Sequence, residues 1–154
     1  MTRFRRATPD DWRAVAELLT ATGLPLDGVE AHLADFVVAE NSAIVGCAGL
    51  ERYGSAALLR SVAVSAPLRG IGIGAALVNE CIVAARAAGI TTLVLLTETA
   101  ETFFATLGFA RIPRAAVPDA VQESEEFRGA CPASATAMRL DLSIAPAPMR
   151  NLVE

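Results

Sequence analysis

Residues 58–77 read LLRSVAVSAPLRGIGIGAAL: an apolar strand pattern leads into a loop with one arginine and alternate glycines, and the loop opens a helix. Backbone N–H groups at a helix start have no partner within the helix, and with the helix dipole they bind anions. Glycine lets a phosphate come close to the backbone, and Arg69 can add charge-assisted hydrogen bonds. The stretch therefore predicts a phosphate-binding loop at residues 69–74.

Two other interpretations of these glycines stay open. Gly70-x-Gly72-x-x-Ala75 also fits the dinucleotide fingerprint of a Rossmann domain, with Glu98 roughly where its ribose-binding acid would be sought. In that fold the glycines follow the strand at once, whereas residues 65–69 intervene here. The glycines could also begin a helix without binding any ligand.

The segments before the loop predict antiparallel strands. Strand patterns at 35–40, 43–52 and 56–64 are joined by the short turns Asn41-Ser42 and Gly54-Ser55. Because two-residue turns cannot join parallel strands, the three strands form an antiparallel meander.

The rest of the chain predicts helices and strands around this meander. Thr8 can cap a first helix, since Pro9 fits its first position and the acids that follow suit its positive end. Further helices are predicted at 28–33, 74–88, 99–107 and about 119–127, and further strands at 4–7, 91–97, 109–112 and 135–142. We expect one α/β domain over residues 1–144, with a mixed, mostly antiparallel sheet flanked by helices, and a flexible tail over 145–154.

The composition excludes several kinds of chemistry. The 154 residues include 13 basic side chains, all arginine, with one histidine and three cysteines, so Schiff-base lysines and multi-histidine metal sites are excluded and no metal is expected. A net charge of −4 weighs against a nucleic-acid partner. No apolar run reaches the ~18 residues of a membrane span and no signal core is seen, so we expect a cytoplasmic protein without a membrane partner. Cys47 and Cys81 are expected to be buried thiols.

The loop and its context resemble the GCN5-related N-acetyltransferases (GNAT), whose pattern Arg/Gln-x-x-Gly-x-Gly/Ala binds the acyl-CoA pyrophosphate. The resemblance covers about residues 4–142 and includes Phe104-x-x-x-Gly108-Phe109. It implies a GNAT-type splayed sheet, acetyl-CoA as cosubstrate, and direct attack of a small-molecule amine on the thioester, with the pantetheine along the strand. The implied cofactor-binding residues are Val62, Ala63, Val64, Arg69, Gly70, Ile71, Gly72, Ile73, Gly74 and Phe104.

Three further segments resemble the arsenic-resistance subgroup of this family: GLERYG at 49–54, ALLRS at 57–61 and CPASA at 131–135. This resemblance implies an amino-acid-like acceptor with an arsenic or phosphorus acid group, detoxified by N-acetylation. A polyamine, an antibiotic or a protein N-terminus stays open as acceptor, and so does a catalytically silent acyl-CoA-binding module. The candidate substrate-binding residues are Arg60, Ser61, Tyr53, Cys131 and Ser134.

Acetyl transfer to an amine needs a route for the amine proton. Glu51 is the candidate base because it could face the cleft, although pairing with Arg52 or Arg60 is the alternative. Arg60 in turn needs either Glu51 or a substrate acid group. The N–H of Val62 could polarise the thioester carbonyl if the strands splay there.

One departure from the family concerns the leaving group. Many members carry a tyrosine that protonates the CoA thiolate where this chain has Phe104. Water, Ser134 or Cys131 would have to replace it.

The other polar residues have plainer interpretations. His32 is expected at the surface or in packing. Phe103 and Phe104 are expected in the core, where one of them could touch the CoA arm. The run Glu123-Ser124-Glu125-Glu126 is expected to be the solvated face of a helix. Arg111, Arg114 and Arg128 are expected to be solvated charges, with binding of an anionic substrate as the alternative. The apolar surface suggests a homodimer.

Overall fold

Seven strands form one sheet in the order β1-β2-β3-β4-β5-β7-β6 in the computed structural model, which describes residues 1–143. All neighbouring strands are antiparallel except β4 and β5, which run parallel. The predicted tail at 145–154 lies outside the described residues. The strands are β1 Arg3–Arg6, β2 Phe36–Asn41, β3 Ala43–Tyr53, β4 Ala56–Val64, β5 Thr92–Thr97, β6 Ala110–Ile112 and β7 Thr136–Asp141.

Helices cover both faces of this sheet. The α-helices are α1 Trp12–Ala21, α2 Ile73–Ala87, α3 Glu101–Thr106 and α4 Asp119–Gln122, with 3-10 turns at Pro9–Asp11, Glu30–Asp35, Ala66–Leu68 and Arg114–Ala116. The first helix begins as its sequence predicts, since the Thr8 N–H donates to Asp11 Oδ2 at 2.7 Å and Pro9 opens the turn. None of the described helices is long and apolar enough to cross a membrane.

The alternation of side chains along β4 divides the core between the two faces. Ala57 and Leu59 pack against α2 and α3, whereas Leu58 packs against α4. The predicted buried thiols Cys47 and Cys81 are confirmed, one on each face of the sheet. Burial raises the pKa of both thiols to about 12, so neither is a reactive thiolate.

The predicted meander of β2, β3 and β4 is confirmed, but the helix predicted at 119–127 is wrong. It stops at Gln122, and a wide π-turn follows over Glu126–Ala130. The Ser124 hydroxyl accepts the N–H of Phe127 at 3.3 Å, and Gly129 has a φ of 129° that no helix allows. Turns of this width occur often at functional sites.

Candidate active site

The sheet opens in its centre between β4 and β5. The two strands pair from Ala56 to Leu58, opposite Thr92 to Val94, and then diverge. From there β5 continues its pairing with β7 as far as Thr97. The predicted splay is therefore present, and it leaves a gap beside the second half of β4.

A bulge shifts the side chains of β4 just beyond this opening. Cys47 pairs with Ala63 and Gly49 with Arg60, so Ser61 and Val62 together oppose one residue of β3. Ser61 has a φ of 60°, a left-handed conformation that is uncommon for serine. Beyond the bulge the alternation of β4 is displaced by one residue: Val62 packs toward α2 and Ala63 toward α1. Of the implied pantetheine-binding residues, Ala63 could therefore contribute only its backbone.

The glycine loop lies at the start of α2, as its sequence predicts. Gly70 and Gly72 have φ of 86° and 95°, a conformation that costs other residues energy, and Gly72 caps the helix. The backbone N–H groups from Gly70 to Ala75 donate no hydrogen bond to any described residue. This helix end therefore has the unpaired donors and the positive dipole that bind a phosphate group.

Arg69 lies at the edge of this loop, exposed to solvent. Its Nε donates to the Val64 carbonyl at 3.0 Å, which folds the side chain back over the end of β4. Among the described residues its two terminal nitrogens have no other partner. They can therefore add charge-assisted hydrogen bonds to an anion on the loop.

The two phenylalanines of α3 occupy different places. Phe104 is buried, and its ring packs edge-on against Phe103 and Phe109 with centroids 5.0 and 5.8 Å apart. Phe103 is only partly buried and lies nearest to Gly74, where an added Cβ would be 3.5 Å from its ring. Of the two phenylalanines, one of which could contact the CoA arm according to the sequence, Phe103 is therefore the one beside the glycine loop.

A buried ion pair lies on the opposite face of the sheet. Arg60 Nη1 donates to Glu51 Oε2 at 2.6 Å, and the two side chains are 0% and 2% exposed. Tyr53 donates its hydroxyl hydrogen to Glu51 Oε1 at 2.5 Å, and His32 Nε2 lies 3.7 Å from the same oxygen. The alternative that Glu51 pairs with Arg60 is therefore the one that the structure shows, and Arg52 pairs with Asp35 instead.

The remaining donors of Arg60 bind the loop between α1 and β2 and the adjacent Ser61 of β4. They reach the carbonyl oxygens of Asp27 at 2.5 Å and Pro25 at 3.2 Å, and Nε donates to Ser61 Oγ at 3.0 Å. Gly28 comes so close that a Cβ there would lie 3.2 Å from Arg60 Nη1. Of the two partners predicted for Arg60, the structure therefore shows Glu51, and four of its five N–H donors have acceptors within the protein.

A second carboxylate approaches the same arginine. Glu126 is 4% exposed, and its Oε2 lies 3.6 Å from Arg60 Nε. Burial raises the pKa of the Glu126 carboxyl to about 7; Arg60 and the hydrogen bond from Cys131 lower it, and the charge of Glu51 raises it. The expectation of a solvated face is therefore wrong for Glu126, and also for Ser124, which is 2% exposed. We call Glu51, Arg60 and Glu126 the buried charge cluster.

The π-turn brings Cys131 back over Glu126. Its backbone N–H donates to the Glu126 carbonyl at 3.1 Å, and the half-exposed thiol lies against the Glu126 carboxylate. Burial and this carboxylate raise the pKa of the thiol to about 12, so it is not a nucleophile at neutral pH. Ser134, the other predicted residue of this segment, is exposed and makes no side-chain hydrogen bond to a described residue.

The three arginines that the sequence predicts as solvated charges differ in their surroundings. Arg111 pairs with Glu101 at 2.7 Å. Arg114 donates to the carbonyls of Pro132 and Ala135 and packs over Phe127, so it is not a solvated charge. Arg128 is exposed on the π-turn and has no ion pair within residues 1–143. Over the same residues, no group of three or more His, Cys, Asp or Glu side chains could hold a metal ion.

A splayed sheet with unpaired N–H donors at the end of its central strand is the arrangement that the GNAT resemblance implies for acyl-CoA binding. A family model for the GNAT acetyltransferase domain matches residues 32–111, more than half of the chain. The chain therefore belongs to the GNAT acetyltransferase family, and acetyl-CoA is the acyl donor that this membership implies. The dinucleotide interpretation of the glycines is wrong, because the strands before them form an antiparallel meander.

Several solved structures are similar. N-acetylglutamate synthase from Neisseria gonorrhoeae, complexed with coenzyme A and N-acetyl-glutamate, aligns with a TM-score of 0.79 and 24% identity over 92% of this chain and 35% of that chain. Rv2747 from Mycobacterium tuberculosis, in complex with CoA and NLQ, aligns with a TM-score of 0.78 and 26% identity. The alignment covers 91% of this chain and 99% of that chain. A GNAT-family acetyltransferase from Staphylococcus aureus Mu50 aligns with a TM-score of 0.77 and 18% identity. The alignment covers 92% of this chain and 99% of that chain.

The chain spans about a third of the length of the N-acetylglutamate synthase that it matches. No curated protein matches its sequence significantly.

Proposed function

We propose that the protein transfers the acetyl group of acetyl-CoA to the amino group of a small molecule, with the CoA pyrophosphate on residues 69–74 and the pantetheine along β4. The observation that carries this proposal is the row of unpartnered N–H groups from Gly70 to Ala75 at the end of the strand that borders the gap. Arg69 adds charge to that site, and Phe103 supplies an apolar wall beside it.

The thioester would lie in the gap beside the bulge. In this position the Val62 N–H would stabilise the oxyanion that forms when the amine attacks. Val62 and Val64 are both partly exposed, so this half of β4 is accessible to the pantetheine arm. Phe104 lies within the core and supplies no proton, so the CoA thiolate would leave without the tyrosine that many family members use.

The acceptor would reach the thioester from the side of the buried charge cluster. With all three side chains ionised, this cluster carries one net negative charge, which suits an amine better than an acid. An amino acid as acceptor is supported by the similar N-acetylglutamate synthase, whose complex contains N-acetyl-glutamate. The finer proposal, an amino acid with an arsenic or phosphorus acid group, rests on the resemblance of residues 49–54, 57–61 and 131–135. Arg128 would then take the place of Arg60 as the partner of that acid group.

The test is release of free CoA thiol from acetyl-CoA across a panel of amines. The panel contains glutamate, glutamine, arginine, an aminoalkylphosphonate, an aminoaryl arsonate, spermidine, an aminoglycoside and a short peptide. We expect amine-dependent thiol release together with an N-acetylated product of the matching mass. Stabilisation by acetyl-CoA without thiol release from any amine would indicate a binding module and contradict the proposal.

A further inference from the structure

Two buried glutamates lie beside Arg60, and their surroundings differ. Each oxygen of Glu51 receives a short hydrogen bond, one from Arg60 and one from Tyr53. Glu126 has only the weak thiol donor of Cys131 and a guanidinium nitrogen at 3.6 Å, while that same nitrogen already donates to Ser61. Glu51 therefore holds Arg60 and the loop above it in place, whereas Glu126 has capacity to accept a proton.

The position of Glu126 suits a role at the acceptor amine. It approaches Arg60, which directly precedes the bulge of β4, so it lies on the side of the sheet from which the proposed acceptor would enter. The Cys131 thiol, which interacts with this carboxylate, is itself only partly buried, so the carboxylate lies near the protein surface. We infer that Glu126 accepts the proton of the acceptor ammonium and is the proton-accepting catalytic residue of this acetyltransferase. The inference rests on the proposed function.

The reaction then proceeds with atoms and charges in balance. The ammonium gives one proton to the Glu126 carboxylate and becomes a neutral amine. Its nitrogen lone pair attacks the thioester carbon, the C–N bond forms, and the C–S bond breaks as the CoA thiolate leaves with the bonding pair. The second proton passes from the nitrogen to solvent, the thiolate takes up a proton from solvent, and Glu126 releases its proton to solvent before the next turnover.

The charged groups that face Glu126 fit this assignment. Burial raises the pKa of its carboxyl to about 7, opposed by Arg60 of β4 and the Cys131 thiol of its own turn and reinforced by Glu51 of β3. A base with a pKa near the working pH combines a useful ionised fraction with a useful affinity for the proton. The rate should therefore rise as the pH approaches 7 from below.

The experiment compares wild type with Glu126→Gln by measuring kcat/KM against pH. Its two probes are the basic primary amine of the panel that the wild type turns over fastest, and hydroxylamine, which is largely neutral near pH 7. For the basic amine we expect a wild-type profile that levels off above about pH 7, and a loss of roughly 100-fold or more in Glu126→Gln near neutral pH. The variant's rate should keep rising with pH, because only the free amine reacts. For hydroxylamine the loss should be under about 10-fold, since no proton has to be removed before attack.

Control variants separate this role from a structural one. Glu123→Gln changes an exposed glutamate of the same segment and should leave the profile unchanged. Glu126→Asp keeps a carboxylate and should retain the levelling above pH 7, at a lower rate. Affinity for acetyl-CoA, measured by calorimetry, should be the same in all variants.

The outcomes distinguish the two levels of the proposal. A wild type that releases no thiol with any amine would overturn the proposed function, and this role with it. A wild type that is active, with the same rate and pH profile in Glu126→Gln, would overturn the role of Glu126 alone.

Discussion

Replacing Glu126 by glutamine should make the fold more stable at alkaline pH. The folded state raises the pKa of this carboxyl from an ordinary 4.5 to about 7, so the folded protein binds the proton more tightly than the unfolded chain does. The stability that this proton confers is complete below about pH 4.5 and is lost as the pH rises through about 7. Each unit of pKa corresponds to about 1.4 kcal/mol. Relative to the glutamine variant, the wild type should therefore lose about 3 kcal/mol of unfolding free energy as the pH rises from below about 4.5 to above about 7.

Urea unfolding of both proteins at about pH 4.5 and about pH 8 measures this difference directly. In thermal unfolding it corresponds to a change of roughly 6–12 °C in the Tm difference between the proteins. Glu123→Gln, the exposed control, should follow the wild type at both pH values. If wild type and Glu126→Gln keep the same stability difference at both pH values, within about 0.5 kcal/mol, Glu126 is not a buried carboxyl that ionises near neutrality.

Three further changes test other parts of the site. Arg69→Glu should weaken CoA binding by roughly 10–100-fold in calorimetry, because charge-assisted hydrogen bonds contribute about 1.5–3 kcal/mol; unchanged affinity would mean that the pyrophosphate lies elsewhere. Arg60→Met should cost about 3–5 kcal/mol in urea unfolding, because it leaves Glu51 buried without its cation. The double variant Arg60→Met, Glu51→Gln should recover part of the lost unfolding free energy. If the losses of the two single variants simply add in the double variant, the pairing of Glu51 with Arg60 is contradicted. Phe104→Tyr should lower stability by about 1–3 kcal/mol without raising kcat, because the hydroxyl would enter the aromatic core; a higher kcat would refute this placement.

The fold could be predicted well because its signals are local. Short turns define the meander, and the glycine loop identifies the start of α2, so both depend on residues close together in the chain. The departure of Phe104 from the family pattern could also be seen in the sequence, but not which of Phe103 and Phe104 lies beside the loop. That distinction depends on how α3 packs against α2.

Glu126 could not be found in this way. Its segment has the composition of a solvated helix, and its burial depends on Arg60, which lies 66 residues earlier in the chain. The available hint was that a buried central arginine needs counter-charges, and the sequence offered Glu51 as the nearest one. The bulge at Ser61 was equally hidden, because serine carries no local signal for a positive φ.

A crystal structure with a non-hydrolysable acetyl-CoA analogue tests the account most directly. It should place the pyrophosphate within hydrogen-bond distance of the N–H groups from Gly70 to Ala75, with the thioester in the gap beside Val62 and on the same side as Glu126. A pyrophosphate bound away from this helix end, or an acetyl group separated from Glu126 by the sheet, would contradict it.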